Sequence, residues 1–155
     1  MANLKNTCAI VGIGFSEFGR RVPKSTMTLT LEACKRAIED AGLTKDEVDG
    51  LLVVLPSNEG ERHGWVCRLG SFLGISPTFS AGLDMGGATP VIMVQMATMA
   101  INAGMCNTVL CCYGWQNQPM GVPLTMPPGL DFTAPYGDLS LIHISEPTRL
   151  GMISY

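Results

Sequence analysis

One segment of the sequence, residues 90–103, contains no charged residue although its pattern predicts a helix. Thr89 offers a capping hydroxyl just before it, Pro90 suits the first helical position, and Gly104 is placed to end the helix. A helix that is apolar around most of its circumference is buried around most of it. We therefore expect a central helix with layers on both sides, of which a single sheet can cover only one.

Short apolar runs elsewhere predict an α/β fold with a predominantly parallel sheet. Buried strands are predicted at residues 8–14, 51–55, 78–83 and 108–113, and further helices at 28–41 and 65–73. Gly42 suits the left-handed stop of the first helix, and Thr44 with Glu47 predicts a capping box. The first strand, the first helix and the second strand predict a right-handed βαβ unit. The expected architecture is layered and incomplete.

The composition argues against several classes of partner. The net charge is −3 and no basic cluster is interleaved with aromatic residues, so we expect neither nucleic acid nor an anionic membrane surface as a partner. No apolar run reaches the roughly 20 residues of a membrane-spanning helix. Only 15% of the residues are charged, against about 25% in a typical domain. We therefore expect a missing half, a partner subunit or both to cover much of the surface.

The six cysteines form no CxxC pair, which gives little support to a zinc site or a redox motif. Their even number would allow disulfides, but residues 1–7 are polar and show no signal-peptide pattern. We expect a cytoplasmic protein with reduced thiols, in which Cys106, Cys111 and Cys112 serve as packing residues.

Two further motifs carry no cofactor or metal prediction. Gly12 and Gly14 lack the third glycine of a dinucleotide fingerprint, because position 17 is Glu17. His63 follows a polar loop with Glu59 and Glu61, but neither the spacing nor a helical context supports a metal site. The sequence therefore predicts no metal and no bound cofactor.

Four stretches of sequence, in their order along the chain, carry a resemblance to a known family. They are Ala9–Gly14, Glu32–Leu43, Val48–Leu51, and Ala97–Gly104 followed by Val109 and Leu110. Together they resemble the amino-terminal half of the thiolase superfamily, in particular the sterol-carrier-protein-like thiolases and their cysteine-lacking relatives. The resemblance implies the amino-terminal portion of a layered thiolase-like fold, in which the uncharged segment is the buried central helix.

In active thiolases a nucleophilic cysteine sits at the amino terminus of that helix, where the backbone N–H groups and the helix dipole stabilise a thiolate. Counting back from Ile101 and Gly104 places Gly87 at this position. No catalytic residue is therefore assigned. The N–H groups of Gly86, Gly87 and Ala88 remain candidates for binding a substrate carbonyl. The alternative role of Gly86 and Gly87 is structural: a tight turn that lets the chain pass close to a neighbouring backbone.

The resemblance implies a protein that acts on acyl-coenzyme A thioesters, with coenzyme A entering as part of the substrate. Without the cysteine, the implied chemistry is cleavage or formation of a carbon–carbon bond, as in cysteine-lacking aldolases that act with a small OB-fold partner. The resemblance also implies a homodimer of the full-length protein. The alternative is a non-catalytic thiolase-fold scaffold or partner-binding subunit.

Residues 139–155 differ in character from the rest and resemble a translated sequencing adaptor, ordered from Leu139 to Tyr155. We therefore expect a truncated thiolase-like amino-terminal domain at 1–138 and a non-native tail at 139–155. A thiolase-like active site draws on both halves of the fold, so we expect the 155-residue chain by itself to be inactive and prone to aggregation.

Overall fold

A computed structural model of the chain describes residues 6–19, 22–56 and 62–115. The helices are α1 (Thr26–Asp40), α2 (Trp65–Leu73) and α3 (Thr89–Asn102), with a short 3-10 helix at Lys45–Glu47. The strands are β1 (Gly50–Val54), β2 (Phe79–Leu83) and β3 (Val109–Cys112). In this part of the chain no helix is both long enough and apolar enough to cross a membrane.

The three strands form a parallel sheet in the order β2-β1-β3, which confirms the predicted parallel α/β class. Gly50 pairs with Phe79 on one side and with Val109 on the other. The chain passes from β1 through α2 to β2, and then from β2 through α3 to β3. The second crossover carries the chain past the central strand.

The helices pack on both faces of the sheet. Leu51 and Val53 of β1 face a core shared with α1 and α2, which supply Cys34 and Leu69. Leu52 and Val54 face the opposite way, towards Met93 and Ala97 of α3. Alternate residues of β1 therefore enter different cores, and this is why its sequence is a continuous apolar run.

The predicted helix boundaries follow the capping residues closely. Helix α1 begins two residues before the predicted start because Ser25 caps it, accepting a hydrogen bond from the Thr28 N–H at 3.1 Å. Gly42 and Gly104 have φ angles of +67° and +70°, as expected for left-handed helix stops. The Thr44 N–H donates to Glu47 Oε2 at 2.8 Å, as the predicted capping box requires.

The predicted strand at residues 8–14 is wrong for the described structure, and with it the βαβ unit that included it. This segment lies along α1 and pairs with none of the three strands. Gly14 is so close to α1 that an added Cβ would overlap Ala33 O. The Ile13 N–H donates to Asp40 Oδ2 at 2.9 Å, so a helix side chain takes the bond that a neighbouring strand would take.

The side chains of this segment point away from the core. Ile10, Val11 and Ile13 are 75%, 62% and 61% exposed. The apolar side chains of this segment thus form an exposed hydrophobic surface. The described residues contain no strand that packs on it.

Helix α3 is buried on one side only. Met93, Ala97 and Ala100 pack towards the sheet, whereas Val91 is 74% exposed and Met99 51% exposed. We predicted layers on both sides of this helix. The described residues provide one sheet on one side of it and no layer on the other.

Asp49 links the starts of β1 and β3. Its carboxylate accepts hydrogen bonds from the Asn107 N–H at 2.9 Å, the Thr108 N–H at 2.7 Å and the Asn107 side-chain amide at 2.9 Å. Desolvation opposes ionisation of this carboxyl, but the donated hydrogen bonds outweigh it and hold the pKa of Asp49 below its usual value. The interaction fixes the register of Gly50 against Val109.

We expect Asp49→Ala to weaken the β1–β3 pairing by roughly 1–2 kcal/mol at pH 7, because two strand-entry N–H groups lose a charged acceptor. The measurement is hydrogen exchange of the segment around Thr108, corrected for the intrinsic exchange rate. Because the folded pKa is depressed, the contribution is present above the usual carboxyl pKa and is lost as the pH falls through the folded value.

Asp46→Ala, on the exposed 3-10 helix, is the matched control and should leave the exchange of this segment unchanged. Equal protection in wild type and Asp49→Ala at pH 7 would contradict the assignment.

Candidate functional site

The predicted site lies at the carboxyl edge of the sheet, in the turn that joins β2 to α3. The turn spans residues 84–88 and follows directly on Leu83, whose carbonyl accepts the Leu55 N–H at 2.9 Å. In open α/β sheets, ligands bind outside the carboxyl ends of the strands. The fold therefore places the predicted residues at an edge suited to a ligand.

Gly86, Gly87 and Ala88 are brought together in this turn and all three are exposed. Gly86 has a φ of +59°, in the left-handed region that favours glycine. A Cβ added at Gly86 or Gly87 would meet no described atom within 4 Å. The space over both glycines is therefore open within the described part of the chain.

Thr89 does not play its predicted role as a cap of α3. Its hydroxyl accepts a hydrogen bond from the Met85 N–H at 2.8 Å and donates one to Gly86 O at 2.7 Å. The Thr89 side chain is fully buried, whereas its two partners belong to the exposed turn. The hydroxyl closes the turn that precedes the helix, whereas a cap would accept from an N–H inside the helix.

No side chain of the described residues caps the amino terminus of α3. The Thr89 N–H bonds back to Gly86 O at 3.1 Å, and the Ile92 N–H to Ala88 O at 3.2 Å. A helix amino terminus carries a partial positive charge, which favours a carbonyl oxygen or a developing oxyanion beside it. Chemically, the turn can polarise a carbonyl group, but it offers no side-chain nucleophile.

A charged pair includes the first residue of this turn. Arg62 donates to Asp84 Oδ2 at 2.8 Å, and both side chains are partly exposed. The pair joins residues 22 positions apart in the sequence. No local pattern could have predicted it, because Arg62 follows a polar stretch of the sequence and Asp84 begins the turn after β2.

His63 is exposed and takes no part in the turn. Among the described residues no group of three or more potential ligands could hold a metal ion, while Glu59 and Glu61 lie outside the described ranges.

The three cysteines that follow α3 do not supply the missing nucleophile at this turn. Cys106 and Cys112 are buried, as predicted for packing residues. Cys111 is exposed, so the packing role predicted for it is wrong, although its thiol is directed at the backbone of α3. Its Sγ lies 4.0 Å from Met93 O, one turn inside the helix. Burial of the thiol raises the pKa of Cys111 to about 11, so it is protonated at neutral pH.

Comparisons with known proteins agree with the geometry, although no family model matches the chain. A monomeric SCP2-thiolase-like protein from Mycobacterium smegmatis is 25% identical, with a TM-score of 0.54 over 67% of this chain and 22% of that chain. An Ltp2–ChsH2(DUF35) aldolase is 29% identical, with a TM-score of 0.70 over 95% of this chain and 38% of that chain. The chain has a thiolase-like fold. The predicted resemblance to the thiolase superfamily is thereby confirmed for part of the chain.

Two curated relatives of this thiolase-like chain are similar over most of its length. A steroid side-chain-cleaving aldolase from Thermomonospora curvata is 36% identical over 122 residues, which is 79% of this chain and 30% of that protein. A 17-hydroxy-3-oxo-4-pregnene-20-carboxyl-CoA lyase from Mycobacterium tuberculosis is 32% identical over 108 residues, 69% of this chain and 27% of that protein. The chain thus spans less than a third of the curated relatives that it matches.

The comparisons do not test the roles of Gly86, Gly87 and Ala88, which stay predictions. The division at residue 138 also stays a prediction, because it lies outside the described residues.

We expect Gly87→Ala in the full-length protein to change the free energy of unfolding by no more than about 0.5 kcal/mol from wild type, because the added methyl group meets no described atom. We expect the same substitution to lower kcat/KM for an acyl-coenzyme A substrate by about tenfold or more, since the methyl group displaces the substrate carbonyl. Thermal melting and steady-state kinetics measure the two effects separately.

Gly86→Ala is a second variant of the turn, and Gly42→Ala is its control for backbone strain. Gly42 and Gly86 both have a positive φ and open surroundings. Alanine at either position should therefore lower the free energy of unfolding by roughly 1–2 kcal/mol. Gly42 lies at the end of α1, so its substitution should leave kcat/KM unchanged. Full activity in Gly87→Ala would remove this turn from the active site.

Proposed function

We propose that the full-length protein containing this chain acts on an acyl-coenzyme A thioester and cleaves or forms a carbon–carbon bond without a cysteine acyl-enzyme. The observation that carries the proposal is the open turn at the amino terminus of α3. The sequence predicts Gly87, in this turn, at the position of the thiolase nucleophile. The names of the two curated relatives, an aldolase and a CoA lyase, support the same class of reaction.

The turn suits this chemistry because a retro-aldol cleavage needs a stabilised enolate and no protein nucleophile. The thioester oxygen binds at the N–H groups of Gly86, Gly87 and Ala88. A base removes the proton of the β-hydroxyl group, the β-carbon becomes a carbonyl, and the electron pair of the breaking bond passes to the α-carbon as a thioester enolate. The negative charge on the enolate oxygen is then held by the helix amino terminus. We assign no base to the described residues.

Covalent catalysis by another cysteine is disfavoured on physical grounds. A thiol must ionise to attack a thioester, and the raised pKa of Cys111 opposes ionisation at neutral pH. Its Sγ also lies beside Met93 O in the body of α3, away from the open turn. Cys112 is buried on the opposite face of the sheet, in the core that also contains Cys34.

The partners that we propose for the full-length protein are based on the exposed hydrophobic surface of α3 and on the similarity to known proteins. The two-component name of the Ltp2–ChsH2(DUF35) aldolase supports a partner protein. The resemblance to cysteine-lacking aldolases implies that this partner is a small OB-fold protein. The exposed outer face of α3, with Val91 and Met99, supports burial against further protein, whether the rest of the chain or a second copy. A homodimer, a cytoplasmic location and the absence of a separately bound cofactor complete the proposal.

The alternative is a non-catalytic scaffold that keeps the fold and binds a thioester or a partner. It rests on the same missing nucleophile, and it differs from the first proposal in predicting binding without turnover.

The deciding experiment incubates the full-length protein, together with its partner if one co-purifies, with acyl-coenzyme A labelled in the acyl group. The reaction is then stopped in acid. We expect labelled products of carbon–carbon cleavage and no label bound to protein, because no described atom, and hence no described thiol, lies within 4 Å of a Cβ added at Gly86 or Gly87. Mass spectrometry of the protein and chromatography of the products provide the two readings.

Cys111→Ala is the control variant and should retain turnover within about twofold, because its thiol is directed at the backbone of α3. A labelled cysteine would overturn the proposal and restore ordinary thiolase chemistry. Tight thioester binding without any product would instead support the scaffold.

A further inference from the structure

Side chains hold the turn between β2 and α3 at both of its ends. At the first end Arg62 donates to Asp84 Oδ2 at 2.8 Å, but both side chains are partly exposed, so water and salt weaken the pair. At the second end the Thr89 hydroxyl accepts from the Met85 N–H and donates to Gly86 O. Because the Thr89 side chain is fully buried, it fixes the shape of the turn more firmly than the ion pair does.

The carbonyl of Gly86 accepts two hydrogen bonds from one residue. The Thr89 hydroxyl donates the first at 2.7 Å, and the Thr89 N–H donates the second at 3.1 Å. Any residue other than proline could supply the N–H at position 89, but the hydroxyl bond needs threonine or serine. The Gly86 carbonyl is therefore directed at the first residue of α3, and the hydroxyl strengthens that orientation.

The direction of this carbonyl also sets the direction of the next N–H group. The Gly86 C=O and the Gly87 N–H belong to one planar peptide group, and the described residues contain no cis peptide bond. In a trans peptide group the C=O and N–H bonds point in opposite directions. The Gly87 N–H therefore points away from Thr89. Since Thr89 is buried and Gly87 is exposed, this N–H is directed out of the core.

This orientation needs to be held, because two adjacent glycines are conformationally permissive. Neither Gly86 nor Gly87 has a side chain that restricts φ and ψ, and Gly86 already has a φ of +59°. Rotation of the peptide group between them would reverse the Gly87 N–H and move the rest of the chain little. The Thr89 hydroxyl opposes this rotation, since it would lose its acceptor. The Met85 N–H fixes the hydroxyl oxygen in turn.

We propose that Thr89 is a positioning residue: its hydroxyl holds the peptide group between Gly86 and Gly87 in the orientation that presents the Gly87 N–H to the thioester oxygen. The inference rests on the proposed function, because it takes the thioester carbonyl to bind at this turn. It adds the residue that orients the donor and does not itself touch the substrate.

The test compares two coenzyme A analogues on the full-length protein: a saturated acyl thioester, and the thioether in which CH2 replaces the carbonyl group. Neither can undergo retro-aldol cleavage. We expect wild type to bind the thioester about three- to tenfold more tightly, as one hydrogen bond to the carbonyl contributes. Thr89→Val removes the hydroxyl at nearly constant volume. In this variant we expect the ratio of the two dissociation constants to fall to about twofold or less.

Two further variants separate positioning from stability. Thr89→Ser keeps the hydroxyl and should keep the preference for the thioester. Thr30→Val is the matched control, because Thr30 is similarly buried and its hydroxyl donates to Thr26 O at 2.7 Å within α1. Thr30→Val and Thr89→Val should both lower the melting temperature, but only Thr89→Val should lower the preference. An unchanged preference in Thr89→Val would overturn the inference.

The amide signal of Gly87 gives a reading in wild type, for which no valine variant has to fold. Glycine is labelled with 15N, and Gly87→Ala identifies the Gly87 signal by its loss. We expect the thioester to move the Gly87 amide proton downfield, because its oxygen accepts a hydrogen bond from this N–H, and the thioether to move it less. Equal movement with both analogues would overturn the inference, since the N–H would then not face the carbonyl.

The outcomes distinguish this inference from the proposed function. Equal affinity of wild type for the thioester and the thioether would remove the carbonyl from the turn and end both. A preference that persists without the Thr89 hydroxyl would end the inference alone. An acyl-cysteine in the labelling experiment would end the proposed reaction, while the dependence of the preference on the hydroxyl could still be measured.

Discussion

The burial of β1 on both faces and along both edges is the constraint on which the rest of this structure depends. Leu51, Leu52 and Val53 are completely buried, and strands pair on either side of them. A central strand of this kind requires helices on both faces of the sheet. The chain meets the requirement by running α2 over one face and α3 over the other. The turn before α3 consequently starts at the carboxyl edge, and this creates the candidate site.

The buried hydroxyl of Thr89 decides the character of that site. A threonine before a helix ordinarily accepts a hydrogen bond from an N–H inside the helix. Here it accepts from Met85 and donates to Gly86, so it stabilises the turn and leaves the helix amino terminus without a side-chain cap. The orphan N–H groups of a helix are satisfied by caps, by water or by ligands. At α3 the Thr89 and Ile92 N–H groups already donate to Gly86 O and Ala88 O, and Pro90 has no N–H, so the opening at Gly87 gives access to the remaining N–H groups of this region.

The apolar surface of the described residues agrees with the low charge of the sequence. Residues 10–18 and the outer side of α3 carry large exposed hydrophobic side chains, including Phe15, Phe18 and Val91. Surfaces of this kind mark places where further protein packs. The chain spans less than a third of its curated relatives, and these relatives contain the additional protein that such a surface would need.

The sequence by itself determined the local elements and the order in which they occur. Helix α2 was predicted at its observed bounds, and β1, β2 and β3 within one residue at each end, because periodicity and turn residues act over a few positions. Tertiary structure alone decided the rest. It left residues 8–14 on α1, turned the Thr89 hydroxyl away from its helix and paired Arg62 with Asp84. Each of these outcomes depends on which distant segments pack together, and a local pattern carries no information about its distant neighbours.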